Sequence, residues 1–207
     1  MRIGLIFILL FFITSCGYKP VEKYSVNIFD NPVLVKVKLD PEDPEYGEYL
    51  EDEIAKMAIN RLNLRLTKNV NEAKSYILVN NYTINTTAAN RDKDGNVIRY
   101  SVNAAIEFAV KDRYGFWSKN IVANEYVSVK AQSILSSVDK EKAAKLAIKK
   151  ALDEFVVAVI NRANKAAKGE LKPKESKGLI EEDEFVEEEL IEDNEEAQMV
   201  VDEVYRW

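Results

Sequence analysis

The chain of 207 residues contains no histidine, one cysteine and seven glycines. Without histidine, the usual general base, the Ser-His and Cys-His nucleophile systems and most zinc sites are excluded. A single cysteine cannot form an intramolecular disulfide and rarely holds a metal by itself. The sequence shows neither a glycine-rich phosphate loop nor an isolated pair of acid–base carboxylates. We therefore expect no catalytic residue, no metal and no cofactor, and a protein that is not an enzyme.

Composition and charge indicate a folded body followed by an acidic end. Hydrophobic residues make up 47% of the chain, which excludes global disorder. Residues 172–207 carry 4 Lys/Arg and 14 Asp/Glu, a balance of −10, whereas the whole chain is −6 and the part before residue 172 is therefore +4. A mildly basic body favours an anionic partner such as a phosphorylated glycolipid, and a mixed solvated surface is the alternative. Nothing in the sequence indicates nucleic-acid binding.

The single cysteine, Cys16, follows a short apolar run at the N-terminus. Residues 3–13 are uncharged and lie behind Arg2; they are too few to span a bilayer but suit the apolar region of a signal peptide. Thr14 and Ser15 are small enough for a peptidase to cut between Ser15 and Cys16. The pattern resembles a bacterial lipobox, whose cysteine is diacylated on sulfur and, after cleavage, acylated on its new amino terminus. An ordinary secretory signal with an incidental cysteine and a short membrane anchor are the alternatives.

An acylated Cys16 would hold the mature protein at a membrane surface without crossing the membrane. Each buried methylene of an acyl chain contributes about 0.8 kcal/mol, and two or three chains make attachment effectively permanent. Gly17 follows the cysteine, at a position where lipoproteins retained at the inner membrane commonly have aspartate. The predicted location is therefore the outer membrane, with the protein lipid-anchored and mainly on the periplasmic side.

Shifts in composition divide the chain into four predicted segments. They are a signal peptide over residues 1–15, a lipidated tether over 16–32, a folded domain over 33–168 and an acidic tail over 169–207. Blocks of like charge in the tail are typical of disorder. Apolar residues recur there at loosely helical intervals, so a helix that forms only on a partner is the alternative.

Hydrophobic periodicity predicts the element order β-α-β-β-β-α within the domain. We expect an α+β fold, a two-layer sandwich in which two helices cover a four-stranded, mostly antiparallel sheet. The second helix is predicted to begin near Ser136, whose hydroxyl caps it while Asp139 reaches back. The second strand is predicted to place four apolar side chains on one face: Tyr76, Leu78, Tyr82 and Ile84. The predicted strands cover about 33–39, 75–87, 98–110 and 117–131, and the helices about 45–64 and 136–164.

A lipobox, a tether, and then strand, helix, three long strands and a final helix resemble the lipopolysaccharide-assembly lipoprotein family (LptE-like). The mature chain opens with Cys16-Gly17-Tyr18-Lys19-Pro20, similar to the CGY- or CGF-type start of family members. Ala151-Leu152-Asp153-Glu154-Phe155 is similar to a stretch in the last helix of some relatives. The likeness covers about residues 16–165 and is one of order and spacing. The acidic tail departs from it.

The resemblance implies a protein without enzymatic activity. Family members plug and stabilise the outer-membrane β-barrel translocon for lipopolysaccharide, and they bind lipopolysaccharide through basic residues near strand ends and loops. Guanidinium and ammonium groups suit the phosphates of such a glycolipid. The candidates in this sequence are Arg91, Lys93 and Arg99 around one predicted hairpin, together with Lys36 and Lys38 in the first strand. For Arg91 and Lys93, a solvated turn is the alternative.

A second function stays open because a fold does not decide a function. The same lipid anchor and two-layer domain would suit a structural or adaptor lipoprotein of another envelope secretion or transport complex. The two functions differ in the partner, so the protein that remains bound after extraction from the membrane would separate them.

Overall fold

The structure, a computed structural model, describes residues 28–39 and 44–173. The predicted signal peptide, Cys16, most of the predicted tether and most of the acidic tail lie outside the described residues. The described elements are β1 (Val33–Val37), α1 (Pro44–Asn60), β2 (Leu66–Thr67), a short 3-10 helix (Val70–Glu72), β3 (Ser75–Arg91), β4 (Val97–Asp112), β5 (Gly115–Ser128) and α2 (Ser137–Ala167).

Five strands form one mixed sheet in the order β2-β1-β3-β4-β5. Strand β1 runs parallel to both β2 and β3, whereas β3, β4 and β5 form an antiparallel meander. The α+β class and the two helices are confirmed, but the predicted strand number of four is wrong, and the sheet is mixed instead of mostly antiparallel. The α1 crossover returns the chain parallel to β1, and the two residues of β2 are too few to produce a periodic pattern.

The core lies between the two helices and one face of the sheet. Phe108 of β4 stacks on Phe155 of α2 with ring centroids 4.2 Å apart, and Trp117 of β5 stacks on Phe155 at 6.0 Å. Both phenylalanines are 0% exposed. The period-two pattern of β4 is confirmed, since its alternate apolar residues are buried from Val102 to Val110. Helix α1 covers β1, and α2 covers β4 and β5.

Strand β3 changes its buried face at a β-bulge. The register with β4 shifts between Val79 and Asn81. Val79 belongs to the main core before the shift and Tyr82 belongs to it after the shift, although their positions differ in parity. Tyr76 and Leu78 pack instead in a small cluster on the other face. The predicted common face for Tyr76, Leu78 and Tyr82 is therefore wrong, because one inserted residue reverses the alternation.

The core also includes residues upstream of β1, in the part of the chain predicted as a tether. Ile28 and Phe29 are 0% and 2% exposed. The backbone N–H of Arg113, in the turn between β4 and β5, donates to the Ile28 carbonyl at 2.8 Å. The Arg113 guanidinium also pairs with Asp30 at 2.7 Å. These contacts fasten the entry of the domain to the β4–β5 turn.

Helix α2 is capped as the sequence predicts. Ser136 Oγ accepts from the backbone N–H of Asp139 at 3.1 Å and donates to the Asp139 carboxylate at 2.7 Å. The helix then runs antiparallel to β5, because Lys150 contacts the Asn124 carbonyl and Arg162 lies over Trp117. Within residues 28–39 and 44–173, no helix combines the length and the apolar character needed to span a membrane.

Candidate functional site

The hairpin between β3 and β4 carries three of the predicted glycolipid-binding residues. Arg91 lies opposite Val97 in the register, and Asn90 lies opposite Arg99. Arg91, Lys93 and Arg99 therefore sit within one turn and its first paired residues, and all three are exposed. We call residues 90–99 the tip.

Asp92 organises the turn of the tip. Its Oδ1 accepts from the backbone N–H groups of Asp94 at 3.0 Å and of Asn96 at 2.8 Å, and its Oδ2 accepts from Asn96 Nδ2 at 3.1 Å. The side-chain hydrogen bond from Asn96 holds the pKa of Asp92 below its usual range. Gly95 has φ +84°, a conformation that glycine adopts without strain. The Asp92 carboxylate is thereby committed to the backbone of the turn.

The cations of the tip differ in what they contact. Arg91 Nη1 donates to the Gly95 carbonyl at 2.8 Å, which uses one of the five guanidinium N–H groups. Lys93 and Arg99 have no ion-pair partner in the part of the chain that the structure describes. Because Asp92 is engaged in the turn, the two side chains with the most freedom to meet an anion are Lys93 and Arg99.

Lys130 lies beside the tip and was missed by the sequence analysis. Arg99 pairs with Ser128, and the backbone N–H of Val129 donates to the Ile98 carbonyl at 3.0 Å. Lys130 follows at once and is exposed. Counting outward from the β4–β5 turn would have found it, because a short turn fixes which residues of the two strands face each other.

Lys36 and Lys38 lie far from the tip. Lys36 is opposite Leu78 in the pairing of β1 with β3, and the backbone N–H of Lys38 donates to the Val79 carbonyl at 2.9 Å. Leu78 is thirteen residues from Arg91 along β3, so the separation is about 40 Å at roughly 3.3 Å per residue. The five predicted residues therefore form two separate clusters instead of one site.

The sheet face turned away from the helices is polar and carries no charge over nine neighbouring positions next to the tip. Asn103 lies at its centre and donates to Asn85 Oδ1 at 3.0 Å, while Ser101 donates to Asn103 Oδ1 at 2.9 Å. Val122 and Tyr126 on β5 are 62% and 53% exposed. We call this surface the uncharged face: Thr83, Asn85, Thr87, Ser101, Asn103, Ala105, Val122, Asn124 and Tyr126.

The opposite end of the meander holds an ion pair instead of an open surface. Asp112 and Arg162 pair with side-chain exposures of 0% and 17%. The same carboxylate accepts from Trp117 Nε1 at 3.0 Å and from the backbone N–H of Tyr114 at 2.8 Å. We call these four residues the base. Its hydrogen bonds join the β4–β5 turn to α2, which is a structural role.

No group of three or more Cys, Asp or Glu side chains within residues 28–39 and 44–173 is arranged to hold a metal ion. Cys16 and Ser15, the predicted lipidation and cleavage positions, lie outside the described residues. The site that the structure offers is an exposed tip with three cations and two carboxylates, those of Asp92 and Asp94, beside an uncharged face.

No protein-family model and no curated protein matches this chain. Solved structures do: the minor lipoprotein of Acinetobacter baumannii is 14% identical, with 69% of this chain and 95% of that one covered and a TM-score of 0.44. Rare lipoprotein B of Shewanella oneidensis is 14% identical, with 66% of this chain and 92% of that one covered and a TM-score of 0.37. An uncharacterized lipoprotein B of Nitrosomonas europaea is 10% identical, with 66% of this chain and 83% of that one covered and a TM-score of 0.41. All three are bacterial lipoproteins, but likeness at this level does not assign the chain to a family.

Proposed function

We propose that the protein is an outer-membrane lipoprotein that binds and stabilises the β-barrel translocon for lipopolysaccharide and assists lipopolysaccharide assembly at the cell surface. It is anchored through acylated Cys16 and lies mainly on the periplasmic side. The apolar leader, the small residues before Cys16 and the lack of any other cysteine support the anchor. The observation that carries the binding role is the gathering of cations on the exposed tip.

The tip suits the phosphates of a glycolipid. Lys93 and Arg99 are exposed and Lys130 stands beside them, and a guanidinium can meet a phosphate with two parallel hydrogen bonds. Each exposed ion pair contributes little, about 1 kcal/mol or less. Binding would therefore depend on several cations acting together, and it would weaken as salt screens them.

The uncharged face suits the protein partner. Cores of protein interfaces are depleted in charged residues and enriched in tyrosine. The nine residues of the uncharged face include exposed Tyr126 and Val122, and a ladder of amides and hydroxyls that can hydrogen-bond. A barrel wall that contacts this face would place the adjoining tip where the glycolipid passes. The role is one of binding and support, and it assigns no catalytic residue.

Affinity isolation from detergent-solubilised envelopes tests the partner. We expect one large outer-membrane barrel protein to remain bound to the mature chain, and surface lipopolysaccharide to fall in a clean deletion strain. A normal outer leaflet in that strain would refute the proposed function. Isolation with the components of another envelope machine would favour the adaptor role instead.

The anchor is tested separately by Cys16→Ser. The variant should lose the acyl chains and accumulate as an unprocessed or soluble form, whereas Ser15→Ala should be processed normally because alanine is also small. Mass spectrometry of the mature N-terminus reads out both. An acyl-free N-terminus in the wild-type protein would contradict the anchor.

A further inference from the structure

A groove of about 510 Å³ runs between α2 and the outer edge of β5. On β5 it extends from Trp117 to Val122, about 17 Å at roughly 3.3 Å per residue. On α2 it extends from Glu154 to Lys165, about 17 Å at 1.5 Å per residue. Since α2 runs antiparallel to β5, Lys165 lies at the Trp117 end of the groove. The groove is thus as long as five or six residues of extended chain.

One wall of the groove is an open strand edge. Strand β5 is the last in the sheet, and no strand within residues 28–39 and 44–173 pairs with its outer side. Long unpaired edges expose backbone N–H and C=O groups, and proteins usually cover them. Lys150 Nζ donates to the Asn124 carbonyl at 3.1 Å. This contact covers the strand edge beyond the Val122 end of the groove and leaves the edge within the groove open.

The side chains that line the groove are a mixture of apolar and polar residues, with more positive than negative charge among them. Val122 on β5 and Val157 on α2 both line the groove and are 62% and 54% exposed. Lys119 and Lys165 have no ion-pair partner in the described part of the chain. Glu154 is the only acidic residue among those that line the groove. An extended segment that carries both apolar and acidic side chains fits this lining.

We propose that the acidic C-terminal segment of this same chain, residues 174–207, docks in the groove and adds a strand to the edge of β5. The segment carries fourteen acidic and three basic residues, and its apolar residues come in pairs such as Phe185-Val186 and Leu190-Ile191. Its charge complements Lys119 and Lys165. Covalent attachment raises its effective concentration to about the millimolar range, so weak contacts suffice.

The path of the chain supports this occupant. Helix α2 ends at Ala167, and the backbone N–H of Glu170 donates to the Lys165 carbonyl at 3.0 Å, so the chain leaves the helix near Lys165, at one end of the groove. From Pro173 to Leu179 an extended chain reaches about 20 Å, which is enough to enter it. The segment would then run from the Trp117 end of the groove toward the Val122 end, parallel to β5.

The topology supports the same direction. Strands β1 and β5 point the same way, and both helices lie on one face of the sheet. The crossover from β1 through α1 to β3 moves across the sheet toward β5. A crossover from β5 through α2 to a new outer strand would move in the same direction and have the same hand. Parallel crossovers share one hand in about 98% of cases.

Zero-length carbodiimide crosslinking of the full mature protein tests the proposal, because it joins a lysine directly to a contacting carboxylate. Peptide mass spectrometry should find Lys119 and Lys165 joined to acids in 174–207 within one molecule. Lys140 and Lys142, which are also exposed but lie on α2 away from the groove, should give no such products. Equal crosslinking of all four lysines, or none at the groove, would overturn the proposal.

Two further measurements complete the test. In a mixture of unlabelled and ¹⁵N-labelled protein, crosslinks only between different copies would overturn the proposal in favour of edge-to-edge pairing. Hydrogen exchange of residues 116–124 should become about tenfold faster in K119E/K165E and stay unchanged in K140E/K142E, with both variants melting as the wild type does. Equal exchange in the two variants would contradict a docked segment.

Discussion

Two aspartates close the two hairpins of the meander with the same local chemistry and opposite surroundings. In the base, Asp112 accepts the backbone N–H of Tyr114; in the tip, Asp92 accepts those of Asp94 and Asn96. The Asp112 side chain is 0% exposed and pairs with Arg162, which is 17% exposed. The Asp92 side chain has only the turn around it. The local sequence determines both turns. The packing around them determines whether the aspartate pairs with a largely buried cation and stabilises the fold, as in the base, or bonds only within its turn and leaves the nearby cations unpaired at the surface, as in the tip.

We expect stability to be concentrated at the base and in the aromatic core next to it. Phe155 is stacked between α2 and the sheet, against Phe108 and Trp117. Phe155→Ala should lower the free energy of unfolding by about 4 kcal/mol, because it removes buried contacts and leaves a cavity. Urea denaturation measures the loss. Val138→Ala, at a 71% exposed position of the same helix outside the groove, should change it by about 0.5 kcal/mol or less.

The two aspartates provide a matched pair of variants. Asp112→Ala should destabilise the protein by about 3 kcal/mol, because it leaves the largely buried Arg162 guanidinium without its partner. Asp92→Ala removes a turn contact at the surface and should have a clearly smaller effect in the same denaturation experiment. Equal losses would show that burial does not distinguish the base from the tip.

The smallest predicted effect is the pH dependence of the tip. The hydrogen bond from Asn96 lowers the pKa of Asp92. The stabilisation that the ionised Asp92 gives to the folded turn is therefore present above the ordinary aspartate pKa and is lost as pH falls through the lowered pKa. Exchange of the Asp94 and Asn96 amides should accelerate over that acidic range. In Asn96→Ala the NMR titration midpoint of Asp92 should move up; an unchanged midpoint would contradict the assigned cause.

Much of the fold could be predicted from local patterns. The alternation of β4 and the Ser136 cap are properties of neighbouring residues, and both were found. The bulge after Val79 inserts a single residue that leaves no compositional signal, so the face of Tyr76 was assigned wrongly. The pairing of Asp112 with Arg162 joins positions 50 residues apart, which no local pattern contains.

The candidate site was predictable to a different degree. The turn residues around Gly95 placed Arg91, Lys93 and Arg99 together, because a hairpin brings its own ends close. The distance of Lys36 from that turn depends on the register of β1 with β3, which no local pattern within β1 contains. Lys130 needed only the register of β4 with β5.

The most direct test of glycolipid binding at the tip compares two double charge reversals in the full mature protein. Binding to vesicles that contain lipopolysaccharide is measured at fixed salt for K93E/R99E and for K36E/K38E, which reverses as many charges about 40 Å away. We expect K93E/R99E to weaken binding at least about tenfold, or about 1.4 kcal/mol, and K36E/K38E to bind as the wild type does. Equal weakening of both variants, or of neither, would contradict binding at the tip.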